Sequence, residues 1–371
     1  VDCRLVNQLQ LSQNGRDHER MGPERAVGDP NRDSDALSDN ADAEQRTVAP
    51  AAARGAPLLT RRRSTGVPDT WRTLMPAVAV TAWMAVGLVA VMLLVEQGRV
   101  SLDDPVVHYL PEFDGADRAA VRVRDLLTHT SGLPDMLAEN LELRRAHAPL
   151  SAFVQGACRT PLLYAPRTGF AYQSMGTLLA GEIVQRVSGQ PLREFHRQEI
   201  FDVLGMHDSS LGLGGRRIAD TVWCQYERTP DVERFGANTL YWRDMGHPWG
   251  GMHSTVTDLS LLLQAFLDGG QLRGRTLLGR STVQRMTSDQ NSAVGAPWGL
   301  GWGLATSPCW VYCGELVSPR TFGHSGATGT VAWADPDTGL QCVILTSRPS
   351  AHDDGRLLRV VSNAVAASLL A

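Results

Sequence analysis

Apolar residues recur along this chain with a helical period in some stretches and a strand period in others. Between Met175 and Ser188 the apolar side chains lie three or four residues apart, and Gly189 follows as a stop signal. This stretch is therefore predicted to be an amphipathic helix. Similar reasoning predicts four further helices, which are Val86–Gly98, Val121–Thr128, Asp258–Leu267 and Asp354–Leu370.

The period changes near the C-terminus. Thr330–Ala334 and Gln341–Thr346 are short strand-like runs, and the residues between them, Asp335–Gly339, favour a tight turn. Helices in the middle of the chain, followed by a hairpin and a last helix, predict an α+β fold.

The run Leu74–Val95 contains 22 residues without a charge. Its length would allow it to cross a bilayer, with Arg61–Arg63 and Arg72 on the inner side. Pro76 and Gly87 interrupt the run, however, and its second half also fits a buried helix of a globular core. The sequence favours the core helix and keeps a membrane anchor as the alternative.

Residues 1–70 differ in composition from the rest of the chain. They are rich in Arg, Asp, Glu, Asn and Gly and show no apolar periodicity. Such a segment cannot bury enough apolar surface to offset the entropy lost on ordering, so we predict that it is disordered.

The composition excludes several classes of function. The net charge is −4, whereas nucleic-acid-binding proteins usually carry an excess of positive charge, so no nucleic-acid partner is expected. The sequence contains no lysine, and its 35 basic residues are all arginine. Any mechanism that uses a lysine amine as a base or Schiff-base former is therefore closed to this chain.

The six cysteines lack the paired C-x-x-C spacing of zinc sites, and no phosphate-binding loop is present. We therefore expect neither a metal nor another cofactor. Cys309 and Cys313 are the one closely spaced pair and are predicted to be inert. A disulfide is expected only if the domain lies outside the cytoplasm, and the sequence leaves that location open.

From about Val86 to the C-terminus, five sequence blocks together resemble the serine β-lactamases, penicillin-binding proteins and related esterases. The second block, VRDLLTHTSGLP, matches a signature of the class C β-lactamase and family VIII esterase branch. The resemblance implies a β-lactamase/transpeptidase-like fold, in which helices flank an antiparallel sheet. The blocks are Val89–Phe113, Val123–Pro134, Tyr172–Ser174 with the helix after it, Gly250–Leu259, and Gly323–Gly326 with the hairpin after it.

Members of that family acylate a serine, with a base to take its proton and two backbone N–H groups to bind the oxyanion. The resemblance implies that Tyr172 is the base or proton relay and that Ser174 hydrogen-bonds in the pocket. It assigns no role to Asp125 or Thr130. The remaining implied pocket residues lie on one strand and are His324, Ser325, Gly326 and Ala327, the last through its N–H.

Two other histidines in these blocks are interpreted differently. His129 and His253 are expected to fix loops rather than to take part in chemistry.

The family's Ser-x-x-Lys motif is missing and falls on Thr81-Ala-Trp-Met84. A threonine hydroxyl can in principle replace serine, so Thr81 marks the position of the missing nucleophile. Met84 can neither accept a proton nor carry a charge, and no Gly-x-Ser-x-Gly elbow replaces the motif. Activity is therefore expected to be strongly impaired or absent.

Two explanations account for the missing motif. One is a natural pseudoenzyme; the other is an upstream frameshift or start-site error, which is favoured because the resemblance begins abruptly near Val86. The predicted organisation is a disordered or out-of-frame segment 1–70 and a β-lactamase-related domain 71–371 whose N-terminal strands are missing or degenerate. The domain would contain a helical subdomain at about 101–290 and the C-terminal hairpin and helix at 320–371.

Three functions remain open. The first is a serine hydrolase acting on a β-lactam, a D-amino-acid peptide or a small ester, impaired in this chain. The alternatives are a non-catalytic module that binds a small-molecule or peptidoglycan-like ligand, with or without a membrane anchor, and an acyltransferase. His-x-Gly in place of Lys-Thr-Gly is more typical of the esterase-like and peptidase-like relatives than of true β-lactamases.

Overall fold

A helix that is buried on nearly all sides forms the centre of the fold. The computed structural model describes residues 79–81 and 84–370, so the predicted disordered segment 1–70 lies outside the described residues. Helix α1 (Met84–Glu96) has no polar face, and its residues Val86–Leu94 are at most 8% exposed where they are apolar. The predicted core helix is confirmed. Within the described ranges, no helix combines the length and hydropathy of a membrane span.

The helices that follow are mostly short. The predicted amphipathic helix is α5, whose C-cap Gly189 has a φ of +76°. The predicted helix near residue 258 begins slightly earlier, because Thr255 caps it by accepting the N–H of Asp258. The bounds are α2 (Val123–Leu127), α3 (Asn140–Arg145), α4 (Leu150–Arg159), α5 (Ser174–Ser188), α6 (Leu192–His196), α7 (Asp202–Leu204), α8 (Pro230–Phe235), α9 (Leu240–Met245), α10 (Val256–Leu267), α11 (Arg280–Met286) and α12 (Arg356–Ala367).

Single turns of other helix types connect these elements. A π-helical turn, Arg197–Phe201, joins α6 to α7, and the last helix continues as a 3-10 turn, Ser368–Leu370. The other 3-10 turns are Val106–His108, Ile218–Asp220, Ser292–Val294 and Ser350–His352.

Nine strands form three antiparallel sheets in the described part of the chain. The largest sheet has the order β6-β7-β8-β9, and the predicted hairpin is its β8–β9 pair, in register from Thr330↔Leu345 to Asp335↔Leu340. The bounds are β1 (Ala79–Thr81), β2 (Ser210–Leu211), β3 (Met252–Ser254), β4 (Gln271–Leu272), β5 (Arg275–Thr276), β6 (Gly303–Leu304), β7 (Phe322–Gly326), β8 (Thr330–Asp335) and β9 (Leu340–Leu345).

Strand β1 was not predicted. It pairs with β3, which pairs with β2 on its other side. The uncharged run Leu74–Val95 therefore contains a strand as well as a helix, and the family-like sheet keeps at least one strand upstream of Val86.

The core is continuous around α1 and α5, which pack directly against each other. A second apolar cluster lies beneath the large sheet and includes Trp298, Trp310 and Trp333. The described cysteines divide between two states. Cys158, Cys224, Cys313 and Cys342 are buried free thiols, whereas Cys309 is disulfide-bonded, so Cys309 and Cys313 are not joined to each other.

Candidate active site

Four aromatic side chains from separate parts of the chain meet beside strand β7. The ring centroids of His129 and Tyr172 are 4.6 Å apart, and those of Tyr172 and His324 are 6.1 Å apart. Trp298 completes the group, at 5.0 Å from His129 and 6.3 Å from His324. The structure thus brings together the predicted Tyr172 and His324, and it adds His129 and Trp298, which the sequence did not assign to the site.

Ser174 begins helix α5 and is bound to a carboxylate that the sequence did not single out. Its Oγ donates to Oδ1 of Asp135 at 2.6 Å, and its backbone N–H donates to the same oxygen at 3.0 Å. Asp135 therefore caps α5 from a distant loop. In this structure the Ser174 hydroxyl proton is donated to Asp135. The predicted hydrogen bond from Ser174 to a ligand in the pocket stays a prediction.

Burial, assisted by a neighbouring carboxylate, raises the pKa of Tyr172 and keeps its hydroxyl protonated. Burial raises the pKa of Tyr172 well above 10, and the carboxylate of Asp135 raises it further. Burial also raises the pKa of Asp135 itself. Among the described residues, the charged groups that act on this phenol are acidic, which is the opposite of the field that favours a phenolate base.

His129 is neutral at ordinary pH. Burial lowers its pKa to about 3, and the neighbouring His324 contributes in the same direction. The His129 ring therefore enters the site as an uncharged member of an enclosed cluster.

The pocket strand ends where the sequence expected an oxyanion-binding N–H. Ser325 and Gly326 lie in β7, and His324 Nδ1 lies 2.9 Å from the Ser325 carbonyl oxygen. Ala327 follows β7 and is exposed, and its carbonyl accepts the N–H of Ser350. The Ala327 N–H makes no hydrogen bond to any described residue, and its predicted role in binding an oxyanion stays a prediction.

The positions of the missing motif lie at a strand-to-helix junction. Thr81 is the last residue of β1 and is paired with Met252, whereas Met84 is the first residue of α1. Because α1 packs against α5, this junction lies at the end of two neighbouring helices of the same core.

Asp125 and Thr130, to which the sequence gave no role, shape the loop that carries His129. The buried Asp125 carboxylate binds Arg167 at 2.5 Å and accepts the N–H of Arg122 at 2.8 Å. Thr130 Oγ1 donates to it at 3.4 Å. Further along this loop, Gly132 has a φ of +83°, and a Cβ there would lie 2.2 Å from the carbonyl oxygen of Tyr164, so only glycine fits.

A surface cavity of about 600 Å³ lies between the loop that precedes α4, helix α6 and helix α9, and has none of these site residues in its wall. Across the described ranges, no three His, Cys, Asp or Glu side chains are grouped closely enough to hold a metal ion.

Comparison with known proteins decides the family. The Beta-lactamase family model matches residues 47–366. This chain belongs to the beta-lactamase family. A protein of Escherichia coli (strain K12) that bears the name D-alanyl-D-alanine carboxypeptidase is 30% identical over 290 residues, which cover 70% of this chain and 66% of the relative.

Solved structures agree on the β-lactamase/transpeptidase-like fold. A penicillin-binding protein homologue from Caulobacter crescentus has a TM-score of 0.62 and 23% identity, covering 79% of this chain and 84% of its own. A family VIII carboxylesterase has a TM-score of 0.59 and 20% identity, covering 77% of this chain and 84% of its own. At these identities the likeness shows the fold alone.

The match also changes one interpretation of the sequence. The family model begins to match at residue 47, well before Val86. The prediction that the resemblance begins abruptly near Val86 is therefore wrong. The frameshift explanation depended on that prediction. The chain spans about two thirds of the length of the curated relatives that it matches.

Proposed function

We propose that this protein uses the family's pocket to bind a small acyl ligand, such as a peptide ending in D-alanine, a β-lactam or an ester, with the covalent step impaired. The observation that carries the proposal is the assembly of Tyr172 and His324 beside strand β7, with ring centroids 6.1 Å apart, while Thr81 and Met84 occupy the positions of the missing motif. Burial and Asp135 raise the pKa of Tyr172 well above 10, so its phenol enters the site as a hydrogen-bond donor.

The covalent step needs a hydroxyl that loses its proton as it attacks. Thr81 stands at the nucleophile position, and Met84 stands where the family has its lysine. The chain contains no lysine that could take its place. Removal of a nucleophile or its base in enzymes of this general type lowers kcat by roughly a million-fold, so turnover by this chain should be very slow.

Binding requires only groups that are present. The Tyr172 hydroxyl can donate to a ligand carbonyl or carboxylate, and the Ala327 N–H can donate to the same kind of oxygen. The buried rings of His129, Trp298 and His324 pack against one another behind the phenol and support its position. The carboxypeptidase name of the Escherichia coli relative favours a D-alanyl peptide as the first ligand to test.

The test is titration calorimetry with an N-acylated D-alanyl-D-alanine dipeptide, beside hydrolysis assays with nitrocefin and a p-nitrophenyl ester. We expect saturable binding, an affinity that falls about tenfold in Tyr172→Phe through loss of one hydrogen bond, and background hydrolysis that is equal in both proteins. Tyr241→Phe is the matched control, because that phenol donates to the backbone carbonyl of Ala148, away from the site. Absence of binding, or turnover that Tyr172→Phe abolishes, would contradict the proposal.

A further inference from the structure

His129 binds the residue before Tyr172 and the residue after it. The N–H of Ala171 donates to the His129 carbonyl at 3.1 Å, and the N–H of Gln173 donates to His129 Nδ1 at 3.2 Å. The His129 ring also packs on the Tyr172 ring, with centroids 4.6 Å apart. Backbone and ring of His129 therefore together fix the peptide units that flank the phenol.

His129 is itself held firmly by its loop. It has a φ of +61°, a left-handed conformation that is uncommon for any residue except glycine and asparagine. On either side of it, the Thr128 carbonyl accepts from Asn291 Nδ2 at 2.8 Å and the Thr130 carbonyl accepts the N–H of Arg167, also at 2.8 Å. The side chain of Gln173 returns to the same loop by donating to the Asp125 carbonyl at 2.8 Å.

The hydrogen bond from Gln173 fixes the tautomer of the imidazole. Because Nδ1 accepts an N–H, the neutral ring carries its proton on Nε2. Burial keeps this ring neutral, with a pKa of about 3, so the acceptor persists across the pH range in which the protein would work.

We infer that His129 is the positioning residue of Tyr172, and that it sets the direction of the phenol toward strand β7 through its carbonyl, its Nδ1 and its ring face. This inference rests on the proposed function, in which the Tyr172 hydroxyl meets the ligand. It departs from the expectation that His129 serves only to fix a loop.

The test replaces His129 with side chains that keep or lose the acceptor. Asparagine places its amide oxygen near the position of Nδ1 and tolerates the left-handed backbone, whereas glutamine places its amide near Nε2 and alanine offers no acceptor. His129→Asn loses the ring face but keeps both hydrogen bonds to the peptide units that flank Tyr172, so it should keep the direction of the phenol. His129→Gln and His129→Ala should lose it.

The readout is carbon NMR of the full-length protein labelled at the tyrosine Cζ atoms. The chain has six tyrosines, and the Tyr172 signal is assigned from Tyr172→Phe. We expect the signal and its lack of titration near pH 10 to persist in His129→Asn. In His129→Gln and His129→Ala the signal should move, and its pKa should fall toward 10 as water reaches the phenol. An unchanged signal in either folded variant would overturn the inference.

A measurement on the unaltered protein guards against variants that fail to fold. Nitrogen NMR of the histidine rings should show His129 protonated on Nε2, and a proton on Nδ1 would overturn the inference as well. Neither readout needs a ligand. If the dipeptide does not bind while the NMR results hold, the proposed function fails and the positioning role of His129 stands. If the dipeptide binds and the Tyr172 signal is unchanged in His129→Gln, the proposed function stands and the positioning role of His129 fails.

Discussion

At the scale of single residues, burial and an acidic neighbour both favour the protonated form of Tyr172. A tyrosine base needs a neighbouring cation to lower its pKa, and here the charged neighbour is Asp135. Asp135 is occupied in capping helix α5 through both the N–H and the hydroxyl of Ser174. A residue that supports the fold therefore also determines what Tyr172 can do.

Asp135→Asn tests this link between structure and charge. The amide oxygen can still cap α5, but the negative charge is gone, so the pKa of Tyr172 should fall while remaining raised by burial. A titration of the Tyr172 phenol by NMR measures the shift. An unchanged pKa in this variant would show that Asp135 does not act on the phenol.

The same substitution has a predicted effect on stability. The folded pKa of Asp135 is raised, so its contribution to stability is present below the unfolded value of 3.8 and is lost as pH rises through the folded value. Asp135→Asn removes the ionisable group, so the variant does not lose stability in this way as the pH rises. The unfolding free energy of the variant relative to the natural protein should therefore increase from acidic to neutral pH, as urea denaturation at each pH will show.

At the scale of elements, five helices could be predicted because their apolar periodicity and caps are local, whereas the remaining helices, such as α4 and α9, were not predicted. The stop at Gly189 and the turn Asp335–Gly339 are set by residues beside the elements that they end or join. Strand β1 could not be predicted, because three residues of an uncharged run carry no alternation of their own. Its existence depends on pairing with β3, which is about 170 residues away in sequence.

The site residues likewise fall into those that the sequence could name and those that it could not. Tyr172 and His324 lie in sequence blocks that resemble the family, so both could be named in advance. Trp298 and Asp135 act through contacts that form only on folding, and neither has a sequence pattern that indicates the site. Of the missed groups, His129 alone had a signal, because it lies in the HTSGL block, although nothing in the sequence indicates its left-handed backbone.

The loop that carries His129 depends on one ion pair. The Asp125 side chain is 1% exposed and its partner Arg167 is 41% exposed. Arg167→Ala leaves a buried carboxylate without its cation and should destabilise the protein by about 2 kcal/mol, less than a fully buried pair would lose. Urea denaturation measures the change.

Arg217 provides the control for this prediction. It also pairs with an aspartate, Asp220, but its side chain is 80% exposed. Arg217→Ala should therefore change the stability by less than about 0.5 kcal/mol. Equal losses in the two arginine variants would refute the assigned role of the Asp125–Arg167 pair.

At the scale of the whole molecule, a family fold surrounds an incomplete catalytic motif. The main apolar cluster of the described residues is built around α1 and α5, and the family match extends over residues 47–366. The two positions of the missing motif are the end of β1 and the start of α1, so the fold still presents them at one junction. The account therefore holds that the pocket persists and that the covalent step was lost with the serine and the lysine.

Intact-protein mass spectrometry after exposure to a fluorophosphonate, which reacts with activated hydroxyl groups, tests that claim most directly. It should be applied to the natural chain and to the double variant Thr81→Ser/Met84→Lys, with each single substitution as a control. The account predicts no adduct on the natural chain or on either single variant, and one adduct per molecule on the double variant. A stoichiometric adduct on the natural chain would contradict it.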